Sequence, residues 1–358
     1  MRIGRAYPES VDAMTEPFNS TLAQLGWKSF FSEQLSAEQS RNCQPVRVMS
    51  VHRGKVTVSG DGVEDSISST LPTKGEAEDR PTVGDWLLID RNTRSLVRIL
   101  NRTSLFKRPA PGDERRVQLI AANVDTLFIV TSCDRDFNVA RLERYLVLTR
   151  EVGVRPVVVL TKPDLSPTPE HLVDAARALQ LGLRVELVDG RDPASAARLA
   201  RHCGFGKTVA LVGSSGVGKS TLVNTLKGSD TIATQAVRED DGKGRHTTTV
   251  REMHRFADGA DGGGWLVDMP GMRELQMSEV ASGVTEVFDD VTAVTLTCRF
   301  ANCTHIGEPG CAIHAAIAEG ELDPARVDRW RKLTQENAEN SGAAAIRRSR
   351  SEKARNKK

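Results

Sequence analysis

One eight-residue segment constrains the fold of this chain more than any other. Residues 213–220 read GSSGVGKS, and they follow the apolar run TVALV and precede the helical pattern TLVNTLK. Glycines let backbone N–H groups approach an anion closely, and the N-terminus of the following helix adds a favourable partial charge. The segment therefore predicts a strand, a phosphate-binding loop and a helix within an α/β domain.

The residue types of this loop predict what its side chains do toward a nucleoside triphosphate. Lys219 would reach the β- and γ-phosphates, which makes it a candidate catalytic residue, and Ser220 would ligate Mg²⁺. The predicted nucleotide contacts of the loop are Gly213, Ser214, Ser215, Gly216, Val217, Gly218, Lys219, Ser220 and Thr221.

Two later segments have the residue types of a magnesium and γ-phosphate sensor. DMPG at 268–271 ends an apolar run, so Asp268 would hold Mg²⁺ through water and Gly271 would begin the sensor. The segment GRHTTT at 244–249 ends in three threonines, one of which can complete the Mg²⁺ shell when a γ-phosphate is present. Thr248 is the predicted ligand and Thr247 the alternative. The same threonines also suit the β-branched start of a strand.

A second nucleotide motif precedes the phosphate loop by roughly 50 residues. Residues 161–165 read TKPDL, close to the NKxD element with which GTP-binding proteins recognise guanine. The Asp164 carboxylate would accept hydrogen bonds from guanine N1 and N2, a pair of donors that adenine lacks, and Lys162 would lie along the base. Thr161 stands where the element usually has Asn, so a hydroxyl must make the connection of that amide. LVDG at 187–190 occupies the place of the usual serine–alanine element, which leaves recognition of guanine O6 open.

The order of elements explains why the guanine motif comes first. Cutting an ordinary GTPase after its magnesium-aspartate strand and joining its old ends places the guanine-element strand before the phosphate-loop strand. Residues 109–284 show that order of strands and helices, and permutation at exposed loops is tolerated. Because both motifs follow apolar strands, they would meet at the carboxyl edge of one sheet. This predicts a circularly permuted P-loop GTPase domain with a mainly parallel sheet.

A cysteine cluster follows this domain. Cys298, Cys303, His305 and Cys311 give the spacing C-x4-C-x-H-x5-C. Three thiolates and one imidazole form a closed tetrahedral Zn²⁺ site of the structural kind. We predict a mainly helical zinc-binding domain over residues 285–340, with one zinc ion per chain.

The remaining segments are assigned from their residue patterns and composition. Residues 45–108 alternate apolar and polar positions in short pieces, which predicts an OB-like β-barrel, with an SH3-like barrel as competitor. Residues 1–44 are predicted to be a flexible extension, residues 106–116 a basic junction, and residues 341–358 a basic disordered tail.

The basic residues of the barrel region suit recognition of folded RNA by phosphate and shape. They are Arg47, His52, Arg53, Lys55, Arg98, Arg102, Lys107 and Arg108.

Composition excludes a membrane-spanning class. Hydrophobic residues make up 39% of the chain and charged residues 27%, and no apolar run approaches the ~20 residues of a membrane helix. The net charge is +2, so total charge says little about partners. The N-terminus lacks an apolar leader segment, and we expect a cytoplasmic monomer.

With these motifs in this order, the chain resembles the ribosome small-subunit-dependent GTPase A family (RsgA, also called YjeQ), over about residues 46–335. The motifs that carry the resemblance are TKPD, GSSGVGKS, GRHTTT, DMPG and CRFANCTHIGEPGC. The resemblance implies binding of GTP and GDP, contact with the small ribosomal subunit and its rRNA in late maturation, and release driven by hydrolysis.

The position of the usual water-orienting Gln is Met272, so His246 is the candidate that orients the water. An exposed loop histidine is the alternative interpretation of His246.

Two other functions fit the same motifs. The chain could be a GTP-sensing RNA-binding scaffold with negligible turnover, or a permuted GTPase of large-subunit assembly. Turnover of GTP with and without each purified subunit separates the three.

Overall fold

The computed structural model describes residues 21–52, 54–70, 77–110, 113–228, 251–256, 263–268 and 281–355. The strands among these residues are β1 Cys43–His52, β2 Lys55–Gly60, β3 Val63–Ser68, β4 Trp86–Asp90, β5 Leu96–Ile99, β6 Leu105–Ala110, β7 Asp113–Ala122, β8 Thr126–Ser132, β9 Arg155–Thr161, β10 Arg184–Val188, β11 Thr208–Val212, β12 Arg251–Arg255 and β13 Trp265–Asp268. The α-helices are α1 Thr21–Gln24, α2 Ser29–Ser32, α3 Ala37–Asn42, α4 Val139–Glu151, α5 Pro169–Arg177, α6 Pro193–Ala196, α7 Lys219–Lys227, α8 Ala281–Val287, α9 Asp289–Thr295, α10 Ala312–Ala318 and α11 Pro324–Arg355. Short 3-10 turns cover Ala77–Asp79, Pro163–Leu165 and Ala197–His202.

The centre of the molecule is a sheet with the strand order β10-β9-β8-β11-β13-β12. Adjacent strands from β10 to β13 pair in parallel, and β12 is antiparallel to β13. Val157–Leu160 of β9 are fully buried, as continuous apolar strands are when helices cover both faces of a sheet. The mainly parallel sheet and the order of its strands along the chain are confirmed.

The N-terminal strands form a curled antiparallel sheet of order β3-β2-β1-β4-β5. Its interior holds alternate residues of β1, β2 and β4, among them Val46, Val48, Val58 and Leu87. Strand β1 pairs with β2, β4 and β12, and its pairing with β2 has a register shift between Val48 and Ser50. The pairing matches the predicted OB-like barrel, although the described ladders leave β3 and β5 unpaired with each other.

The prediction of a flexible extension is wrong for residues 21–42. This segment forms α1, α2 and α3, and Leu25 and Phe31 are buried against Trp86. Trp27 packs edge-on against Trp86 at 4.8 Å between ring centroids. Burial of these large side chains stabilises a segment whose short helices would be marginal alone.

The junction predicted at 106–116 is part of a β-hairpin. Strands β6 and β7 pair antiparallel, with Phe106 opposite Ala121. Phe106 and Ile120 are buried in the same core cluster as the parallel sheet. The basic residues at 107–108 and 115–116, along the two strands, concealed the apolar positions Phe106 and Ile120 in the sequence.

Helices complete the C-terminal part of the chain, as predicted. Helix α8 packs on α4 so closely that a Cβ at Gly283 would collide with the Val147 carbonyl group. Helix α11 continues to Arg355, so the prediction of a disordered tail is wrong for the backbone of residues 341–355. Ala, Arg, Glu and Lys, which dominate residues 343–355, are strong helix formers. Among the described residues, no helix combines the length and apolar character that crossing a bilayer demands.

Candidate functional site

The glycine loop connects β11 to α7, as the sequence predicts. Gly213, Gly216 and Gly218 all have positive φ, which L side chains rarely adopt. A Cβ at Gly213 would collide with the carbonyl group of Val130 on β8, so this position also lacks space for a side chain. The loop therefore places its backbone at the carboxyl edge of the sheet, where its amide N–H groups can face an anion.

Lys219 lies across this loop. Its ammonium group donates to the carbonyl oxygen of Gly213 at 2.9 Å and to that of Ser214. Val217, in the middle of the loop, is buried and anchors it in the core. The Lys219 ammonium group is therefore placed to meet phosphate oxygens, which would replace its contacts with the two carbonyl groups.

Thr161 joins the two nucleotide motifs directly. It ends β9, is 2% exposed, and its hydroxyl donates to the carbonyl oxygen of Val217 at 2.6 Å. Lys162 adopts a left-handed conformation with φ of 53°, and its ammonium group donates to the Gly216 carbonyl oxygen at 2.7 Å. TKPDL and GSSGVGKS thus form one continuous site at the carboxyl edge of the sheet.

A pocket of about 220 Å³ opens between these motifs. Its lining residues are Thr161, Lys162, Asp164, Leu165, Asp189, Gly190, Arg191, Gly218 and Thr221. The Asp164 carboxylate is half exposed at this pocket, where the edge of a purine can reach it. Gly190 belongs to the LVDG segment, which confirms that this segment follows the strand next to the guanine motif.

Sequence reasoning missed Arg191. Its guanidinium group makes two hydrogen bonds of 3.0 Å to the Asp189 carboxylate and lies 3.4 Å from that of Asp164. The hydrogen bonds from Arg191 hold the pKa of Asp189 below its usual range. The signal in the sequence was a cation directly after LVDG, but only the pairing of β9 with β10 brings it to Asp164.

One predicted nucleotide residue lies at the edge of the described chain, and four others lie beyond it. Asp268 ends β13, where it pairs in register with Leu211 of β11, so its backbone is adjacent to the phosphate-loop strand. His246, Thr247, Thr248 and Gly271 lie outside the described residues.

The predicted metal cluster assembles in the loop between α9 and α10. One ligand atom from each of Cys298, Cys303, His305 and Cys311 lies within 4.8 Å of the others. His305 presents Nδ1, at 3.4 Å from the Cys298 Sγ, and the Ala312 amide donates to the same sulfur. Three sulfurs and an imidazole nitrogen in this arrangement fit a tetrahedral metal ion.

Neighbouring side chains hold the metal loop in shape. The Glu308 carboxylate accepts hydrogen bonds from Thr304 and from the backbone N–H groups of Ile306 and Gly307, and these keep its pKa well below its usual range. Arg331 of α11 donates to the His305 carbonyl oxygen, and Trp330 packs edge-on against the imidazole.

Two of the basic residues proposed for RNA contact are structural instead. Arg47 is 1% exposed and donates to the Thr208 hydroxyl at 2.7 Å, so it joins the barrel to β11. Burial lowers the pKa of Arg47 to about 10. Arg102 forms a two-point ion pair with the buried Asp85 at 2.7 and 2.8 Å. His52 and Lys55 remain exposed at the end of the β1–β2 hairpin.

Comparison with known protein families supports the same assignment. The model of the RsgA GTPase family matches residues 99–278. The small ribosomal subunit biogenesis GTPase RsgA of Mesorhizobium japonicum is 48% identical, over 92% of this chain and 94% of that protein. The small ribosomal subunit biogenesis GTPase RsgA 2 of Vibrio vulnificus is 44% identical, over 94% of this chain and 94% of that protein.

Solved structures share the fold. YjeQ from Thermotoga maritima aligns with a TM-score of 0.58 at 24% identity, covering 82% of this chain and 98% of that one. YloQ, described as a circularly permuted GTPase, aligns with a TM-score of 0.56 at 23% identity, covering 86% of this chain and 99% of that one.

Proposed function

Because this chain belongs to the RsgA GTPase family, we propose that it binds the small ribosomal subunit and acts in its late maturation. In this proposal the chain hydrolyses GTP to GDP and phosphate, the subunit stimulates turnover, and hydrolysis drives release. The names of its relatives support the partner, since they are small-subunit biogenesis GTPases at 40–48% identity. We further propose that it works in the cytoplasm.

The hydrogen bond from Thr161 to Val217 carries the proposal. This bond brings the two motifs together at the carboxyl edge of one sheet, where ligands of open α/β sheets bind, and their residue types are together typical of a guanine-nucleotide site. The phosphates would lie at the amides of the glycine loop and at Lys219, and the base would lie in the pocket beside Asp164 and Lys162. Ser220 would ligate Mg²⁺, with Asp268 acting through water and Thr248, or Thr247, completing the shell.

The water that attacks the γ-phosphate needs a positioning group, since Met272 stands where the usual Gln would be. We propose His246 for this role and expect turnover to be slow until the partner orders the segment that carries it. Loss of subunit-stimulated turnover in His246→Ala, with GDP affinity retained, supports the role; full stimulated turnover in that variant contradicts it.

We propose that the metal of the cysteine cluster is zinc. Thiolate-rich tetrahedral sites select zinc over the oxygen-preferring cations, and four protein ligands leave no open position for catalysis. Zinc would therefore supply folding free energy to the loop between α9 and α10 rather than chemistry.

The experiment that tests the function measures GTP turnover alone, with purified small subunits and with purified large subunits. The proposal predicts stimulation by the small subunit. Stimulation by the large subunit alone would assign the chain to large-subunit assembly, and binding to the small subunit without turnover would make it a nucleotide-sensing scaffold.

A further inference from the structure

The guanine pocket contains a carboxylate–guanidinium pair at one rim. Asp164 and Arg191 follow the adjacent strands β9 and β10, and the Arg191 Nη2 atom lies 3.4 Å from an Asp164 oxygen. Both side chains line the same pocket. In the usual guanine site a serine–alanine element follows the second of these strands, and here DGR takes its place.

The Asp189 carboxylate fixes the position of the Arg191 guanidinium group. Its Nε and Nη2 atoms donate to the two oxygens of Asp189 at 3.0 Å each, and its backbone N–H donates to the same carboxylate at 3.0 Å. Asp189 is itself fixed, since its backbone N–H donates to the Ser195 hydroxyl at 3.0 Å. Within the part of the chain that the structure describes, these contacts engage one side of the guanidinium fork and leave the Nη1 amino group without an acceptor.

The edge of guanine has the complementary pattern. N1–H and the N2 amino group are donors, and O6 is an acceptor next to N1. A carboxylate satisfies the two donors, and a guanidinium group is the side chain that most often contacts guanine at O6 and N7. The Arg191 cation beside the Asp164 carboxylate therefore matches the O6 acceptor beside the N1 and N2 donors. With adenine bound, the same cation would face the donor amino group at position 6, which is unfavourable.

From this geometry we infer that Arg191 is the specificity residue that recognises guanine O6, replacing the missing serine–alanine element. Asp189 is its positioning residue. The inference rests on the proposed guanine site and names a contact that the nucleotide motifs do not contain. When guanine enters, Asp164 exchanges its contact with Arg191 for the N1 and N2 donors, while Asp189 retains the guanidinium group at the rim.

Binding of nucleoside diphosphates to the full chain tests the inference, since diphosphates are not consumed. The ligands are GDP, 6-thio-GDP, IDP and ADP. The sulfur of 6-thio-GDP is a weak acceptor at position 6 but the analogue keeps N1–H and the N2 amino group, whereas IDP keeps O6 and lacks the amino group. The variants are Arg191→Ala and, as a matched exposed arginine on α5, Arg177→Ala.

We expect the wild-type protein to bind GDP about tenfold more tightly than 6-thio-GDP, as loss of one good base contact implies. In Arg191→Ala this ratio falls toward one, because GDP affinity drops while 6-thio-GDP affinity changes little. The ratio of GDP to IDP stays as in wild type, and Arg177→Ala leaves all ratios unchanged.

Two results overturn the inference. An equal loss of affinity for GDP and 6-thio-GDP would mean that Arg191 only supports the loop, and tighter GDP binding by Arg191→Ala would mean that it competes with guanine for Asp164. Failure of the proposed function has a separate signature, since wild-type protein would then bind ADP as well as GDP.

Discussion

The clearest residue-scale finding concerns Thr161, which stands where guanine motifs usually have Asn. Its buried hydroxyl reaches the Val217 carbonyl oxygen at 2.6 Å, so a shorter side chain suffices to join the guanine motif to the phosphate loop. The motif in the sequence indicated that some connection was needed. It could not identify the acceptor, because Val217 comes near only when β8, β9 and β11 are assembled.

Thr161→Val removes the hydroxyl while keeping the shape of the side chain. A buried carbonyl left without a partner costs about 1–3 kcal/mol, so we expect GDP binding to weaken about tenfold and stability to fall by a similar free energy. Calorimetric titration with GDP measures the first and urea unfolding the second. Thr161→Ser, which retains the hydroxyl, should remain close to wild type. Wild-type affinity in Thr161→Val would show that the connection is dispensable.

A second residue-scale prediction concerns Glu186 on β10, which accepts hydrogen bonds from Arg201 and from His202 at 2.7 Å. Burial raises the pKa of this carboxyl, but the hydrogen bonds from Arg201 and His202 outweigh burial and leave the pKa below its usual value of 4.5. A depressed carboxyl pKa contributes stability at pH values above 4.5, and this contribution is lost as pH falls through the depressed value.

Glu186→Gln should therefore be less stable than wild type at pH 7, by about 1–2 kcal/mol. The difference should shrink as pH falls below about 4.5, where the unfolded chain takes up the proton, and should vanish once pH is below the depressed pKa of the folded protein. Urea unfolding of both proteins across this range checks the sign. A difference that stays constant down to the lowest pH at which both fold would contradict it.

At the scale of elements, the parallel strands, the glycine loop and the metal loop were predictable because each has a local signature. The hairpin β6–β7 was not, since basic residues at 107–108 and 115–116 interrupt the apolar pattern of its strands. The packing of the N-terminal segment on the core was also missed, because its buried side chains contact Trp86, which is distant in sequence. Arg47 was misassigned to a surface for a related reason: its partner Thr208 lies 161 residues away.

The docking of α11 on α4 depends on one buried carboxylate. Glu143 is fully buried on α4 and pairs with Arg329 at 2.6 Å and Arg326 at 3.2 Å, both on α11. Glu143→Ala would leave Arg329 without its carboxylate in a poorly hydrated interface, while Arg326 keeps its ion pair with Asp290, so we expect a loss of about 3 kcal/mol. Urea unfolding measures this loss, with the exposed Glu319→Gln as control. A loss below about 1 kcal/mol would show that water reaches the two guanidinium groups.

The metal loop gives a further prediction at this scale. Cys303→Ser removes one of four ligands, so we expect the zinc content measured by plasma mass spectrometry to fall and the thermal transition to move down. His305→Cys keeps four ligands and should retain the metal. Stoichiometric zinc in Cys303→Ser would mean that the cluster is not the site.

On the scale of the whole molecule, buried charged groups connect the parts. Arg47 joins the barrel to the parallel sheet, and Glu143 joins the sheet's helix α4 to the helix that supports the metal loop. Permutation makes this possible, since the chain enters the parallel sheet from the barrel and leaves it toward the metal loop. The nucleotide site thus lies in a body that is fixed on one side to the barrel and on the other to the helix that supports the metal loop.

We propose that the permuted sheet rebuilds a single guanine-nucleotide site from TKPDL and GSSGVGKS, and we expect one substitution at this site to change the preferred base. Asp164→Asn replaces an acceptor by an amide donor, which matches the carbonyl that xanthine has in place of the guanine amino group. Competition binding should show that wild type prefers GDP to XDP and that Asp164→Asn prefers XDP to GDP. If wild type and Asp164→Asn prefer the same one of the two nucleotides, Asp164 does not recognise the base and the proposed guanine site is wrong.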